Sequence, residues 1–103
     1  MEHLKGLGIK NFENKIQVFF KGKPIKKAYL FGSYVQQKAT KDSDIDILVE
    51  LDPTQTIGMI EYIKMIDGLE TLLKRKVDLV TTDGLSPHIK PFIDKEKVLI
   101  YEA

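Results

Sequence analysis

Asp44-Ile45-Asp46-Ile47-Leu48-Val49 is the stretch on which the fold turns. Aliphatic and carboxylate side chains alternate along it, and β-branched residues dominate, so it reads as a strand from about Asp44 to Leu51. Asp52-Pro53-Thr54 ends it, because proline cannot continue a ladder. Strand side chains point alternately to opposite faces, which puts Asp44 and Asp46 on one face and Ile45 and Ile47 on the other. Two carboxylates held that close repel each other, and a divalent cation removes the conflict. Hard oxygen ligands suit Mg²⁺.

Working outward, Lys26 to Phe31 reads as a second strand that closes on Gly32-Ser33, ten residues before Asp44. Glycine lets a backbone approach a ligand closely, and Ser33 can cap a short helix from Tyr34 whose N-terminus attracts phosphate. Val77-Asp78-Leu79-Val80 reads as a further strand carrying a third carboxylate inside an apolar run, where an unpaired charge is costly. Val98 to Tyr101 reads as a last strand. Taken singly, Gly-Ser is an ordinary turn and Asp-x-Asp an ordinary loop cap. Taken together at the ends of neighbouring strands, Gly32, Ser33, Asp44, Asp46 and Asp78 describe a site for a metal-bound nucleoside triphosphate.

Helical spacing appears in two places, and a third stretch reads as a short helix. Phe12, Ile16, Phe19 and Phe20 mark an amphipathic helix over Asn11 to Lys21, with Asn11 or Asn14 as cap and Gly22-Lys23-Pro24 as its break. The phenylalanines are expected in the core. Ile57, Ile60, Ile63, Ile66, Leu69, Leu72 and Leu73 recur along Thr56 to Lys74, capped by Thr56 and followed by Lys74-Arg75-Lys76, where cations oppose the helix dipole. Gly68 has no local explanation there. Met59, Tyr62 and Met65 form a second stripe, either a widening of the core face or a contact for another chain. His88 to Lys95 reads as a short helix in which Pro91 would strain the interior, with His88 at the surface or in a cap.

A chain of 103 residues supports one small domain, expected to span 1–103. A net charge of +1 supplies no global field for nucleic acid or membrane. With no cysteine, disulfides and cysteine-based zinc sites are excluded, which fits a cytoplasmic protein. No apolar run reaches the roughly 18 residues of a membrane span, and Met1-Glu2-His3-Leu4-Lys5 lacks the apolar core of a signal peptide.

Leu30-Phe31-Gly32-Ser33, then Asp42-Ser43-Asp44-Ile45-Asp46-Ile47-Leu48-Val49, resembles the signature of the polymerase-beta-type nucleotidyltransferases, and within them the minimal, MNT-type branch. The resemblance runs from about Lys26 to Tyr101. It implies an α/β (α+β) fold, a small mixed sheet flanked by helices. It also implies transfer of AMP from ATP, with Asp44, Asp46 and Asp78 on two Mg²⁺ ions, Asp78 next to the acceptor hydroxyl, and Gly32 and Ser33 on the β- and γ-phosphates. Family members often continue Gly-Ser with Ala-Arg-Gly; here Val35-Gln36-Gln37 stands instead, so the usual arginine is absent. Larger relatives carry an acceptor-holding domain, so the acceptor is expected on a partner or a second copy. The resemblance implies a HEPN-type ribonuclease toxin as partner, with AMP placed on a tyrosine of it. The alternative is an antitoxin that neutralises its partner by contact, with a weak or idle site.

Overall fold

The computed structural model describes residues 9–32, Val35 and 43–103, with side chains from Phe12 onward. Helix α1 (Ile9–Phe20) leads into strands β1 (Ile25–Phe31) and β2 (Ile45–Leu51). Helix α2 (Met59–Leu73), strand β3 (Val77–Thr81), a 3₁₀ turn (Thr82–Gly84), helix α3 (Lys90–Glu96) and strand β4 (Val98–Glu102) follow. The sheet order is β3-β2-β1-β4. β1 is antiparallel to both β2 and β4, whereas β2 and β3 are parallel. Parallel neighbours need a crossover connection, and α2 is that connection. The mixed sheet with helices is the one expected from the sequence.

Period-two alternation puts one aliphatic set on a single face. Ile45, Ile47 and Val49 of β2 share a buried cluster with Ala28 and Leu30 of β1, Val77 and Leu79 of β3, and Ile100 of β4. Ile16 and Phe20 of α1, and Met65, Leu69 and Leu73 of α2, close it. Phe12 and Phe19 pack against its rim, so the phenylalanines are core residues as expected. Gly68 now has a reason. A β-carbon added there would come within 2.8–2.9 Å of the Phe19 ring, so the glycine is where α1 and α2 meet.

The apolar run of α2 does not all face inward. Met65, Leu69 and Leu73 are buried, but Ile60 is 70% exposed and Ile63 49%. Each i+3 step falls about 60° short of a full turn, so the series from Ile57 to Leu72 winds around the helix. The i, i+4 line through Met65, Leu69 and Leu73 stays on one face. The Met59-Tyr62-Met65 stripe divides for the same reason: Met59 is 73% exposed, Tyr62 half-buried and Met65 buried. Thr56 is not the cap. The helix starts at Met59, with Gly58 in the cap position and no side-chain cap bond. At its far end Lys74 takes the left-handed conformation that ends many helices, and Glu70 accepts the Val77 N–H at 2.9 Å.

Pro91 is not strained. α3 begins at Lys90, so the proline sits in the first turn, where its missing N–H costs nothing. The short helix expected after Tyr34 lies outside the described residues. No described helix is long and apolar enough to cross a membrane.

Candidate nucleotidyl-transfer site

β1 ends at Phe31, and Gly32 follows with φ +76°, a left-handed conformation that side chains disfavour. Space forbids a side chain there too: a β-carbon at Gly32 would stand 2.1 Å from Asp46 Oδ2 and 3.0 Å from its Cγ. Glycine at this position is therefore required by both backbone angle and packing, and what it accommodates is a carboxylate of the next strand.

Asp46 occupies the middle of that arrangement. On one side it pairs in register with Phe31 of β1, and on the other with Asp78 of β3. Asp46 and Asp78 thus stand side by side on the face opposite the main core. Asp46 is half-buried; Asp78 is exposed. The expectation that Asp78 sits in a costly apolar environment is corrected here. β3 is the edge strand, Val77 and Leu79 turn inward, and Asp78 turns out. Asp44 precedes β2 by one residue and is exposed. The Ile45 N–H donates to the Lys76 carbonyl at 2.9 Å, which ties the starts of β2 and β3 together next to these aspartates.

Two residues that the sequence did not mark for this site also belong to the neighbourhood: Tyr62, read there only as part of a helix stripe, and Glu96. The Tyr62 hydroxyl of α2 donates to the Leu79 carbonyl of β3. Burial raises its pKa above the usual 10.0, and the Asp78 carboxylate raises it further. Glu96, at the end of α3, accepts the Gly32 N–H through Oε1 at 3.1 Å. No periodicity or motif singles out Glu96, because its relation to Gly32 exists only through strand pairing.

Ser33 lies outside the described residues, as do Gln36, Gln37, Lys38 and Lys41. Among the described residues no group of three or more His, Cys, Asp or Glu side chains is gathered to hold a metal ion. The structure brings Asp46 together with Asp78 and with Gly32, and leaves Asp44 just ahead of them on the approach to β2. By chemistry this donor set fits a hard divalent ion: all its atoms are carboxylate oxygens, and two of the three carboxylates hold paired register positions on one face. An apolar cavity of about 310 Å³ lined by residues including Phe19, Pro24, Ile57 and Met65 contains none of the aspartates.

Comparison with known proteins agrees with this fold. The pattern of the family described as polymerase beta, nucleotidyltransferase, matches residues 14–103. A Methanocaldococcus jannaschii chain provisionally named a protein adenylyltransferase is 38% identical over 77 residues, covering 74% of this chain and 77% of that one. A crystal structure of a toxin–antitoxin with AMP-PNP superposes with a TM-score of 0.74 at 28% identity, over 88% of this chain and 73% of the other. A chain from the complex of a tri-AMPylated Shewanella oneidensis HEPN toxin with an MNT antitoxin superposes with a TM-score of 0.69 at 25% identity, over 91% and 72%. With this fold and a family match over residues 14–103, the chain belongs to the polymerase beta nucleotidyltransferase family.

Proposed function

We propose that this protein transfers AMP from ATP to a hydroxyl of a HEPN-type toxin, acting as that toxin's antitoxin. The observation that carries the reading is the in-register pair Asp46–Asp78, with Asp46 set against a left-handed glycine at the end of the neighbouring strand. The named relatives support the choice of AMP and of a protein acceptor.

In this reaction the acceptor oxygen forms a bond to the α-phosphorus, the bond to the bridging α–β oxygen breaks, and pyrophosphate leaves. Asp44, Asp46 and Asp78 would hold Mg²⁺, which when bound neutralises charge on the attacking and leaving oxygens. Asp78 is exposed on an edge strand, so an acceptor carried by another chain can reach it, and its carboxylate can take the hydroxyl proton. Gly32 and Ser33 would receive the β- and γ-phosphates. The Gly32 N–H is bonded to Glu96 and the space of its missing side chain is filled by Asp46, so what Gly32 would add is the left-handed turn that leads the chain to the phosphates. Most of the acceleration would come from positioning and charge neutralisation.

The test is transfer of labelled AMP to the HEPN-type partner. The wild type should label the partner in the presence of Mg²⁺, and the Asp44→Ala/Asp46→Ala variant should not. Equal labelling by both would refute the site.

A second reading has its own support. Met59 and Ile60 are more than two-thirds exposed, and Met59 and Tyr62 border a cavity of about 320 Å³ with Leu51, Ile57, Gly58 and Thr81. Such a surface suits neutralisation by contact, as does Gln36 where relatives often place arginine. Neutralisation that survives replacement of all three aspartates would favour contact over transfer.

A further inference from the structure

The bond between Gly32 and Glu96 joins residues 64 positions apart, and the transfer chemistry above makes no use of it. Its origin lies in the strand register. β1 and β4 are antiparallel, with Leu30 paired to Val98. Two residues further on, the same register sets position 96 opposite Gly32. At that point β4 has not begun, and Glu96 is still the last residue of α3. A helical residue thus stands where a strand carbonyl would have received the Gly32 N–H, and its side-chain carboxylate accepts in the carbonyl's place.

Gly32 is therefore held from two directions. Glu96 takes its N–H, and Asp46 fills the space next to its α-carbon. Glycine has the greatest backbone freedom of any residue. Without the Glu96 bond, Gly32 would keep only the Val35 N–H on its carbonyl, at 3.1 Å, and the packing of Asp46, with nothing holding its own N–H.

We propose that Glu96 is a positioning residue for nucleotidyl transfer. By holding the Gly32 N–H it sets the turn, and through the turn it sets the Asp46 carboxylate, while touching neither nucleotide nor acceptor. This rests on the transfer reading above. Reacting groups displaced by about 1 Å can lose about 10²-fold in rate, so loosening one wall of the Asp46 site is expected to show more in kcat than in nucleotide affinity.

The experiment compares wild type, Glu96→Gln and Glu96→Ala as full chains, after thermal melting has set a temperature at which all three are folded. Amide exchange at Gly32, calorimetric affinity for Mg²⁺ with AMP-PNP, and kcat and KM for AMP transfer to the HEPN-type partner are measured. In Glu96→Ala, exchange at Gly32 speeds up and kcat falls by about tenfold, while affinity for Mg²⁺ with AMP-PNP and KM change by less than kcat does. Glutamine keeps a side-chain carbonyl that accepts the same N–H, so Glu96→Gln restores both exchange and kcat. A wild-type kcat in Glu96→Ala overturns the proposal, as does a loss that glutamine fails to rescue. Tighter nucleotide binding in both variants also overturns it, because Glu96 would then be an anion competing with the triphosphate. A wild type that binds Mg²⁺ with AMP-PNP yet transfers nothing overturns the transfer reading itself. Full transfer by wild type and Glu96→Ala alike overturns the role of Glu96 alone.

Discussion

β2 and β3 carry nearly the same text. Ile45-Asp46-Ile47-Leu48 and Val77-Asp78-Leu79-Val80 run parallel and pair residue for residue. In both, the outer aliphatics of the aspartate triplet face the core and the aspartate faces the other way. Yet Asp46 is half-buried against Gly32, and Asp78 is exposed. The next pair repeats the contrast: Leu48 is fully buried and Val80 only partly. The sequence of the two strands is not the cause. β2 has a neighbour on each side, and β3 has one. A two-sided strand can wall in a carboxylate and fix where it points. A one-sided strand leaves its carboxylate open to whatever approaches. The transfer site proposed above would use both conditions, a fixed ligand at Asp46 and an accessible base at Asp78.

The comparison can be attacked first through activity. Asp78→Asn should lower AMP transfer by about 10²–10⁴-fold, the usual worth of a general base. Because its side chain is exposed, the melting temperature should barely move. A stability loss matching that of a core variant would show that the edge carboxylate is walled in after all.

The paired aliphatics come next. Leu48→Ala should cost about 2–5 kcal/mol, as a fully buried leucine does. Val80→Ala should cost less, because fewer atoms lose their packing and part of the side chain already meets solvent. Denaturant midpoints of the two variants decide it. Equal costs would remove the distinction between central and edge strand.

Gly32→Ala tests the wall itself. The left-handed φ and the 2.1 Å approach to Asp46 Oδ2 both oppose a methyl group, for a loss of roughly 1–3 kcal/mol. A variant as stable as wild type would mean that Asp46 is not confined by the turn.

The smallest effect concerns the edge. Tyr62→Phe removes the hydroxyl bonded to the Leu79 carbonyl and should cost about 0.5–1.5 kcal/mol at neutral pH. The tyrosine's pKa is raised in the folded state, by burial first and then by Asp78. Its share of stability is therefore complete below the unfolded value of 10.0 and declines as pH rises through the higher folded value. The gap between wild type and Tyr62→Phe should narrow above pH 10.0, as chemical denaturation across that range would show. A gap that widens with alkali would contradict the assigned environment.

Much of this was readable before any coordinates. The alternation around Asp46 marked a strand and put its carboxylates on the face away from Ile45 and Ile47, since side-chain direction along a strand is a local property; Val77 to Val80 also read as a strand, but the outward turn of Asp78 came only with the sheet. The first two helices were legible from their spacing, and the turn at Gly32 from its place after an apolar run. Their limits were less legible. The i+3 series in α2 suggested a single stripe, although such a series winds about the helix axis, and only packing against α1 and the sheet chose Met65, Leu69 and Leu73. Gly68 looked like a defect until Phe19 was found against it.

What the sequence determined by itself was the set of carboxylates and the strands that carry them, because residue type and alternation are written along the chain. What the tertiary structure decided was their circumstances. Which aspartate is confined and which is open follows from strand order. The bond from Gly32 to Glu96 follows from the register of β1 against β4. Both depend on which segments come to lie side by side, and that is settled by burial of the whole aliphatic set at once, far beyond the range of any local pattern.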